Sequence, residues 1–365
     1  NESDQKSYII SVFLIIYYVI YNCISCDLNV GFITILSGGN IQSGIQIQAA
    51  ENIAIWEINN NNNILPNCTL RSTIIDSQSK TSNVVRGGLQ LAGYNECNDD
   101  GNTTVNDLID KITVPFVMGA QFSSLSSYLN PVLNTFNILQ IAASATSVSL
   151  SGLRTFHRVV PADTLQAQGL LQLCLHFNWR SIGVLYVNDA YGVYLHSVIS
   201  TRASQLDNFS VIGASYDSES LISIDRAIDG LQKAGVFVII LIVHDSEFSA
   251  VIQSLKDHDM WRYPFYYLGS DSWMDGTLDI VQENGDGFIG TLGTCPWAPN
   301  APDSAKDSYS LYAGGDYEEI YNQTVEKMGY FMESWNTIQQ ENPQLLYNMT
   351  EPAKYSSYGY DLVYL

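Results

Sequence analysis

The sequence predicts an α/β protein built from doubly wound parallel sheets. Apolar, β-rich runs alternate with segments of helical spacing along most of the 365 residues, which is typical of parallel sheets covered by helices. The run Val236–Val243 is continuously apolar, as expected of a central strand that is buried on both faces. An apolar fraction of 46% is enough for sizeable cores. The length of the chain favours about two domains.

The chain is strongly acidic. It has 37 Asp and Glu residues against 16 Lys and Arg residues, a formal net charge of −21. Such a surface repels phosphate backbones and anionic lipid headgroups. We therefore expect no nucleic-acid partner, and peripheral membrane binding is disfavoured as well.

The first 26 residues predict a signal peptide. Tyr8–Tyr21 is apolar except for Ser11, and it is shorter than the ~20 residues that span a bilayer. Lys6 precedes this stretch and small or polar residues follow it, so we place processing near Cys26. The alternative is a buried core helix or strand, which the lack of an amphipathic period disfavours.

The residues after Asp27 begin the alternation of strands and helices. Leu28–Leu36 is an apolar, β-rich run, Gly44–Asn59 follows with helical spacing, and an asparagine run then predicts a loop. The next predicted elements are strand Leu70–Ile75, helix Lys80–Gly93, strand Val114–Gly119, helix Ser124–Phe136 and strand Leu139–Ala142.

The alternation continues through the middle of the chain and then stops. Ala298–Gly315 is rich in Pro, Asp, Ser and Gly without a period, whereas Tyr317–Gln340 and Ser357–Leu365 are helical in pattern. The predicted elements before this region are helix Leu165–Phe177, strand Ser181–Val187, helix Tyr191–Leu206, strand Ser210–Ala214, helix Ile224–Ala234, strand Val236–Val243, helix Ser246–His258, strand Phe265–Leu268 and strand Gly287–Thr294.

The cysteines and glycosylation sequons agree with a secreted chain. Cys68 begins a predicted strand, and Cys97 follows the next predicted helix. In a parallel βαβ unit these two points lie at the same edge of the sheet, so a disulfide between Cys68 and Cys97 is predicted. The alternative is that Cys97 pairs between chains. Cys174 lies in an apolar helix face and is predicted to be a buried, small apolar residue. The sequons are at Asn67, Asn102, Asn208, Asn322 and Asn348.

Motifs for catalysis and cofactor binding are missing from the sequence. There is no Walker loop, no GxGxxG fingerprint and no GxSxG nucleophile elbow, and the five histidines lack paired-ligand spacing. The loop Asn98–Asn102 lacks the further ligands that a calcium site needs. We therefore expect a protein that is not an enzyme, with no catalytic residues, no cofactor and no metal.

Polar residues recur just past the predicted strand ends, where open α/β sheets bind ligands. Hydroxyls and helix N-terminal amides suit a carboxylate, and Asp with an aromatic face suits an ammonium, so the set fits a zwitterion. For each residue alone, N-capping of a helix is the alternative. The residues are Ser123, Ser124, Ser144, Thr146, Ser147, Asp163, Tyr191, Ser270 and Asp271.

Two segments resemble the ligand-binding region of class C G-protein-coupled receptors, the group of the metabotropic glutamate and GABA type B receptors. Ile141–Gly192, which begins IAASATSVSL and ends VNDAYG, is similar to the middle of that region. Tyr266–Gly276, YYLGSDSWMDG, is similar to a signature of its second lobe. Weaker similarity extends from about Asp27 to Leu365.

This resemblance implies a two-lobed, type I periplasmic-binding-protein-like fold, also called a Venus flytrap, that closes on its ligand. After the signal peptide of residues 1–26, the first lobe would comprise residues 27–155 plus 297–365. The second lobe would comprise residues 156–296. The segments FHRVVP and TLGTCP would be two of the crossings between the lobes.

The resemblance also implies a role for each polar residue at the cleft. Hydroxyls of the first lobe would hold the α-carboxylate, two aspartates would hold the α-ammonium, and a tyrosine would supply an aromatic face. The turn GAQFSS departs from the GSSS-like turn of the family. The six positions are Ser123, Ser144 and Thr146 for the carboxylate, Asp163 and Asp271 for the ammonium, and Tyr191 for the aromatic face.

The expected function is that of an extracellular, glycosylated ligand-binding domain of a class C receptor at the plasma membrane. It would bind an α-amino acid or analogue, act as a homodimer or heterodimer, and reach a G protein through a membrane domain outside this sequence. The ligand is expected not to be glutamate, because Asp27–Leu70 contains no Lys or Arg; Asn40 and Gln42 would be neutral contacts. The alternatives are a free-standing extracellular amino-acid-binding protein and the ectodomain of a receptor guanylate cyclase.

Overall fold

The computed structural model describes residues 26–38, 41–94, 114–273, 291–294 and 331–347. The predicted signal-peptide core lies outside these residues, as do Cys97 and the sequons at Asn102, Asn322 and Asn348. Those interpretations stay predictions.

Five parallel strands form the first sheet. They are β1 (Cys26–Thr34), β2 (Cys68–Asp76), β3 (Phe116–Gly119), β4 (Leu139–Ala142) and β5 (Phe156–Arg158). Their order is β2-β1-β3-β4-β5, so β1 lies inside the sheet and the later strands extend it in both directions. The connections are helices α1 (Ile41–Asn60), α2 (Thr81–Leu91) and α3 (Ser123–Thr135).

Alternating side chains give the first sheet two buried faces. Phe32 and Met118 pack on the α1 side, and Ile33 and Val117 pack on the side of α2 and α3. Side chains alternate between faces along a strand, so apolar residues at consecutive positions bury both sides. This is the doubly wound arrangement that the sequence predicts.

Five more parallel strands form the second sheet, in the order β10-β9-β8-β6-β7. The predicted central strand is confirmed, because β8 lies between two neighbours and all five of its residues are buried. The strands are β6 (Ser181–Val187), β7 (Ser210–Tyr216), β8 (Val238–Ile242), β9 (Tyr266–Gly269) and β10 (Leu292–Gly293). The helices are α4 (Asp163–His176), α5 (Ala190–Ala203), α6 (Leu221–Lys233) and α7 (Asp245–Asp257).

The two sheets, each with the helices packed on it, are the two lobes of the fold. Strand β5 pairs with β4, so the first sheet extends through Arg158, three residues beyond the predicted end of the first lobe. The residue boundaries of the two lobes otherwise stay predictions.

A helix near the end of the chain packs on the first lobe. Residues 331–341 are helical, and this helix, α8, buries Phe331 and Trp335 against Ala50 and Ile53 of α1. Among the described residues, no helix is both long enough and apolar enough to cross a membrane.

Candidate functional site

All six predicted ligand residues lie at the carboxyl ends of strands, among the described residues. Ser123 begins α3, Ser144 and Thr146 follow β4, Asp163 begins α4, Tyr191 is the second residue of α5, and Asp271 follows β9. The parallel topology brings these points to facing edges of the two sheets, because parallel strands end at the same edge.

The Asp163 carboxylate is buried without a hydrogen bond of normal geometry. The residue is 1% exposed, and neither of its carboxyl oxygens has a hydrogen-bond partner of normal geometry. N-capping does not account for it, because the N-cap of α4 is Ala162 and no side chain caps that helix end. An ionised carboxylate is costly to bury unless it is paired. Asp163 therefore needs either a cationic partner or a proton.

Asp271 and Tyr191 form a second buried acidic group beside Asp163. The Tyr191 hydroxyl donates to Asp271 Oδ1 over 2.6 Å, and Gln166 Nε2 donates to the same oxygen over 2.6 Å. Tyr191 and Asp271 are both buried. Tyr191 thus contributes its hydroxyl as well as the aromatic face that the sequence suggests, and the hydroxyl fixes the orientation of Asp271.

Burial and mutual repulsion dominate the electrostatics of this group. Burial and the charge of Asp271 raise the pKa of Asp163 to about 8, although the Thr146 hydroxyl and the Arg158 guanidinium act in the opposite direction. Burial and the same two carboxylates raise the pKa of the Tyr191 phenol, which stays protonated at neutral pH. A positive charge beside Asp163 would relieve this repulsion, so the site favours a cationic group.

Arg158 holds the polar segment that carries Thr146. Its Nη1 donates to the carbonyl oxygens of Ala145 and Ser147 over 3.0 and 2.9 Å, and its Nη2 donates to the Ser151 hydroxyl. The Asp163 amide in turn donates to the Thr146 carbonyl over 3.0 Å. These bonds fix Thr146 next to the first turn of α4.

The two predicted carboxylate-binding serines differ in their hydroxyl geometry. Ser123 Oγ accepts from the Ser147 amide over 3.0 Å and keeps its own proton for an anionic ligand. Ser144 Oγ donates instead to the Gln121 carbonyl over 2.8 Å, so its proton is directed away from a carboxylate. Of the two, Ser123 is better arranged to bind a ligand carboxylate.

Two further residues organise the site and are not found by the sequence analysis. Asp189 is the N-cap of α5: its Oδ1 accepts from the amides of Tyr191 and Gly192, over 2.9 Å in each case. Its Oδ2 lies 3.0 Å from His244 Nε2. Although burial acts against it, the hydrogen bond to Asp189 raises the pKa of His244. Asp189 lies just before a segment of helical period, which is the pattern of an N-cap residue. The sequence could therefore have identified Asp189, whereas no local pattern identifies His244.

Gly192 lets α5 begin directly at the end of β6. A Cβ atom on Gly192 would lie 2.1 Å from the Val187 carbonyl oxygen, so any larger residue would displace the start of the helix. This close approach places Tyr191 against the end of the second sheet, next to Asp271.

The predicted modification sites are compatible with the structure where it describes them. Cys68 is disulfide-bonded, and its pairing with Cys97 stays a prediction. Cys174 is free and buried, as predicted. Asn67 and Asn208 are exposed, so an attached glycan would meet no packed side chain. Within the described ranges, no group of three His, Cys, Asp or Glu side chains could hold a metal ion.

Two doubly wound lobes with polar groups at facing strand ends define a ligand-binding protein of the type I periplasmic-binding-protein fold. A leucine-binding protein from Thermotoga maritima has this fold, with a TM-score of 0.65, 15% identity, and coverage of 92% of this chain and 80% of its own. The similarity at this identity establishes the fold, and the predicted fold class is confirmed.

The chain belongs to the receptor family ligand binding region, whose sequence profile matches residues 46–365. The metabotropic glutamate receptor of Drosophila melanogaster is 26% identical over 260 residues, which are 66% of this chain and 26% of the receptor. The extracellular calcium-sensing receptor of Sus scrofa is 24% identical over 287 residues, which are 74% of this chain and 26% of the receptor. The chain thus spans about a quarter of the length of these curated relatives, and the resemblance to class C receptors is confirmed.

Proposed function

We propose that this chain is the extracellular ligand-binding domain of a class C G-protein-coupled receptor, which binds an α-amino acid or a close analogue between its lobes. Ligand binding closes the lobes and shifts a receptor dimer between resting and active arrangements. The signal then passes through a membrane domain to a G protein. The role is binding rather than catalysis.

The buried carboxylate of Asp163, whose oxygens accept no hydrogen bond of normal geometry, carries this proposal. Asp163 lies beside Asp271, whose position is fixed by the Tyr191 hydroxyl. Two carboxylates and an aromatic face form a receptor for an ammonium group. Ser123 and Thr146 of the first lobe supply hydroxyls at the facing edge, which suit a carboxylate. An α-amino acid carries both groups on adjacent atoms.

Membership of the receptor family supports the extracellular location and the signalling role. The relatives named above are receptors, and the name of one of them says that it senses extracellular calcium. Residues 1–26 would direct the chain into the secretory pathway, and Asn67 and Asn208 would be glycosylated there. Dimerisation and G-protein coupling belong to the proposal for the full-length protein.

A screen of the purified domain tests the proposal. We expect at least one of the standard L-amino acids or γ-aminobutyrate to raise the thermal midpoint, and calorimetry to give one site per chain. The substitution Asp163→Asn should weaken that binding by more than about tenfold, because it removes one partner of a desolvated charge pair. If no amino acid or amine binds, or if Asp163→Asn binds as tightly as the native chain, the proposed site is wrong.

A free-standing extracellular amino-acid-binding protein is the second candidate. It is favoured by the similarity of the fold to a leucine-binding protein over most of both chains. The reading frame after Leu365 distinguishes the candidates: seven apolar spans indicate a G-protein-coupled receptor, and a stop codon indicates the free-standing protein. One span followed by a kinase-like segment would instead indicate a receptor guanylate cyclase.

A further inference from the structure

The two lobes contact each other directly, beside the candidate ligand site. Ser147, which follows β4 in the first lobe, donates its hydroxyl proton to the Ala190 carbonyl at the start of α5 over 2.7 Å. Helix α3 of the first lobe also contacts α5 of the second. These contacts join the two lobes beside the candidate site.

Two aromatic rings meet at this contact. Phe122 immediately precedes α3 and packs partly on the core of the first lobe. His244 immediately precedes α7 in the second lobe, and the centroids of the two rings are 5.6 Å apart. His244 also stacks on Tyr191, with ring centroids 5.7 Å apart and an interplanar angle of 28°. Three rings thus run from the first lobe to the ammonium side of the site.

His244 is held in place from within the second lobe. Its Nε2 lies 3.0 Å from Asp189 Oδ2, and the other oxygen of Asp189 caps the helix that carries Tyr191. The imidazole is therefore held by its own lobe, whereas Phe122 belongs to the first lobe. A movement that separates the lobes at this point would break the ring contact.

We propose that Phe122 and His244 form a latch between the lobes, which holds the closed form around the ligand and keeps Tyr191 in position over it. This proposal rests on the proposed function and adds a residue pair that sets how long the ligand stays bound. The interaction between two aromatic rings stabilises their contact beyond the area that they bury. This extra stabilisation changes an equilibrium or rate constant by roughly 2- to 12-fold. Because the contact forms after the ligand has entered, the change should fall on the dissociation rate.

The substitution Phe122→Ser removes the ring and leaves a residue suited to the start of α3. Phe122 occupies the N-cap of α3 without a side-chain cap, and Ser is a preferred N-cap residue. Tyr128→Ser is the matched control, because Tyr128 is an aromatic residue of the same helix and is 55% exposed. Phe122→Tyr keeps an aromatic ring at position 122.

The probe is the standard L-amino acid that gives the largest thermal shift, and its association and dissociation rates are measured by stopped-flow fluorescence. We expect Phe122→Ser to raise the dissociation rate by roughly 2- to 12-fold at an unchanged association rate. Tyr128→Ser should have no effect, and Phe122→Tyr should restore the native rate. Equal dissociation rates in Phe122→Ser and Tyr128→Ser would overturn the latch.

A failure of the proposed function gives a different result from a failure of the latch. If the native chain binds no amino acid or amine, the proposed function is wrong, and small-angle scattering of the ligand-free proteins then decides the latch. A larger radius of gyration for Phe122→Ser than for both the native chain and Tyr128→Ser supports the latch. Identical radii overturn it.

Discussion

Binding of an amino acid should release a proton from Asp163. In the ligand-free site this carboxyl is buried and close to Asp271, and these two effects outweigh Thr146 and Arg158 and raise its pKa to about 8. At pH 7 it is therefore largely protonated. A ligand ammonium beside it favours the ionised form. We therefore expect a fraction of a proton, up to one, to be released per ligand bound at pH 7, and less at higher pH.

The sign of the pH dependence follows from the same shift. Because the ligand-free site holds the extra proton, affinity rises with pH below the raised pKa. The association constant should increase between pH 6 and pH 7, by at most about tenfold for one proton, and by a smaller factor above the raised pKa. Most surface carboxylates have pKa values near 4 and contribute nothing in this range.

Calorimetry in two buffers of different ionisation enthalpy counts the released protons. The substitution Asp163→Asn should remove the proton release seen at pH 7 and flatten the pH dependence. Asp217→Asn is the control: Asp217 is an exposed carboxylate at the end of β7 and accepts a hydrogen bond from Asn188. If the native chain releases no proton at pH 7, or if Asp163→Asn releases as many as the native chain, the electrostatic account of the site fails.

Four other predictions follow from the sequence and the structure. Tyr191→Ala should weaken amino-acid binding more than Tyr191→Phe, because the phenylalanine keeps the aromatic face over the ammonium; calorimetry compares the two. Glutamate should bind more weakly than neutral amino acids, since Asp27–Leu70 offers no Lys or Arg for a second carboxylate; selective micromolar binding of glutamate would refute this. Burial raises the pKa of Glu51 well above its ordinary value, so the folded state retains a proton that the unfolded state loses above about pH 4.3. Stability should therefore fall as pH rises, and Glu51→Gln should reduce the difference between urea midpoints at pH 5 and pH 8. Non-reducing peptide mapping should find Cys68 joined to Cys97 within one chain; a covalent dimer that disappears on Cys97→Ser would show that the pairing is between chains.

The alternation of strands and helices was predictable because it depends on local patterns. The apolar run at Val236–Val243 has the period and length of a buried strand, and the structure places β8 inside it. Helix α4 was predicted to begin at Leu165 but begins at Asp163. The two additional residues are polar, so hydrophobic periodicity alone does not include them in the helix.

The candidate site was predictable only in part, because its interactions join distant parts of the chain. Polar residues past strand ends are visible in the sequence, and the resemblance assigns them roles. The hydrogen bond from Tyr191 to Asp271 joins residues 80 positions apart, and the ring contact between Phe122 and His244 joins the two lobes. No local pattern encodes these contacts, since they arise only when the two sheets have folded and met.

The arrangement of the charges also explains why closure would require a zwitterion. Asp163 and Tyr191 lie on helices α4 and α5, whose apolar residues pack in the core of the second lobe. Ser123 and Thr146 follow strands of the first lobe. In the proposed complex the ammonium is therefore held by one lobe and the carboxylate by hydroxyls of the other. A ligand with only one of these groups satisfies a single lobe, and it gains little from closure. A ligand that carries both groups binds the closed form more tightly than the open form, and this difference in affinity is what shifts the conformational equilibrium.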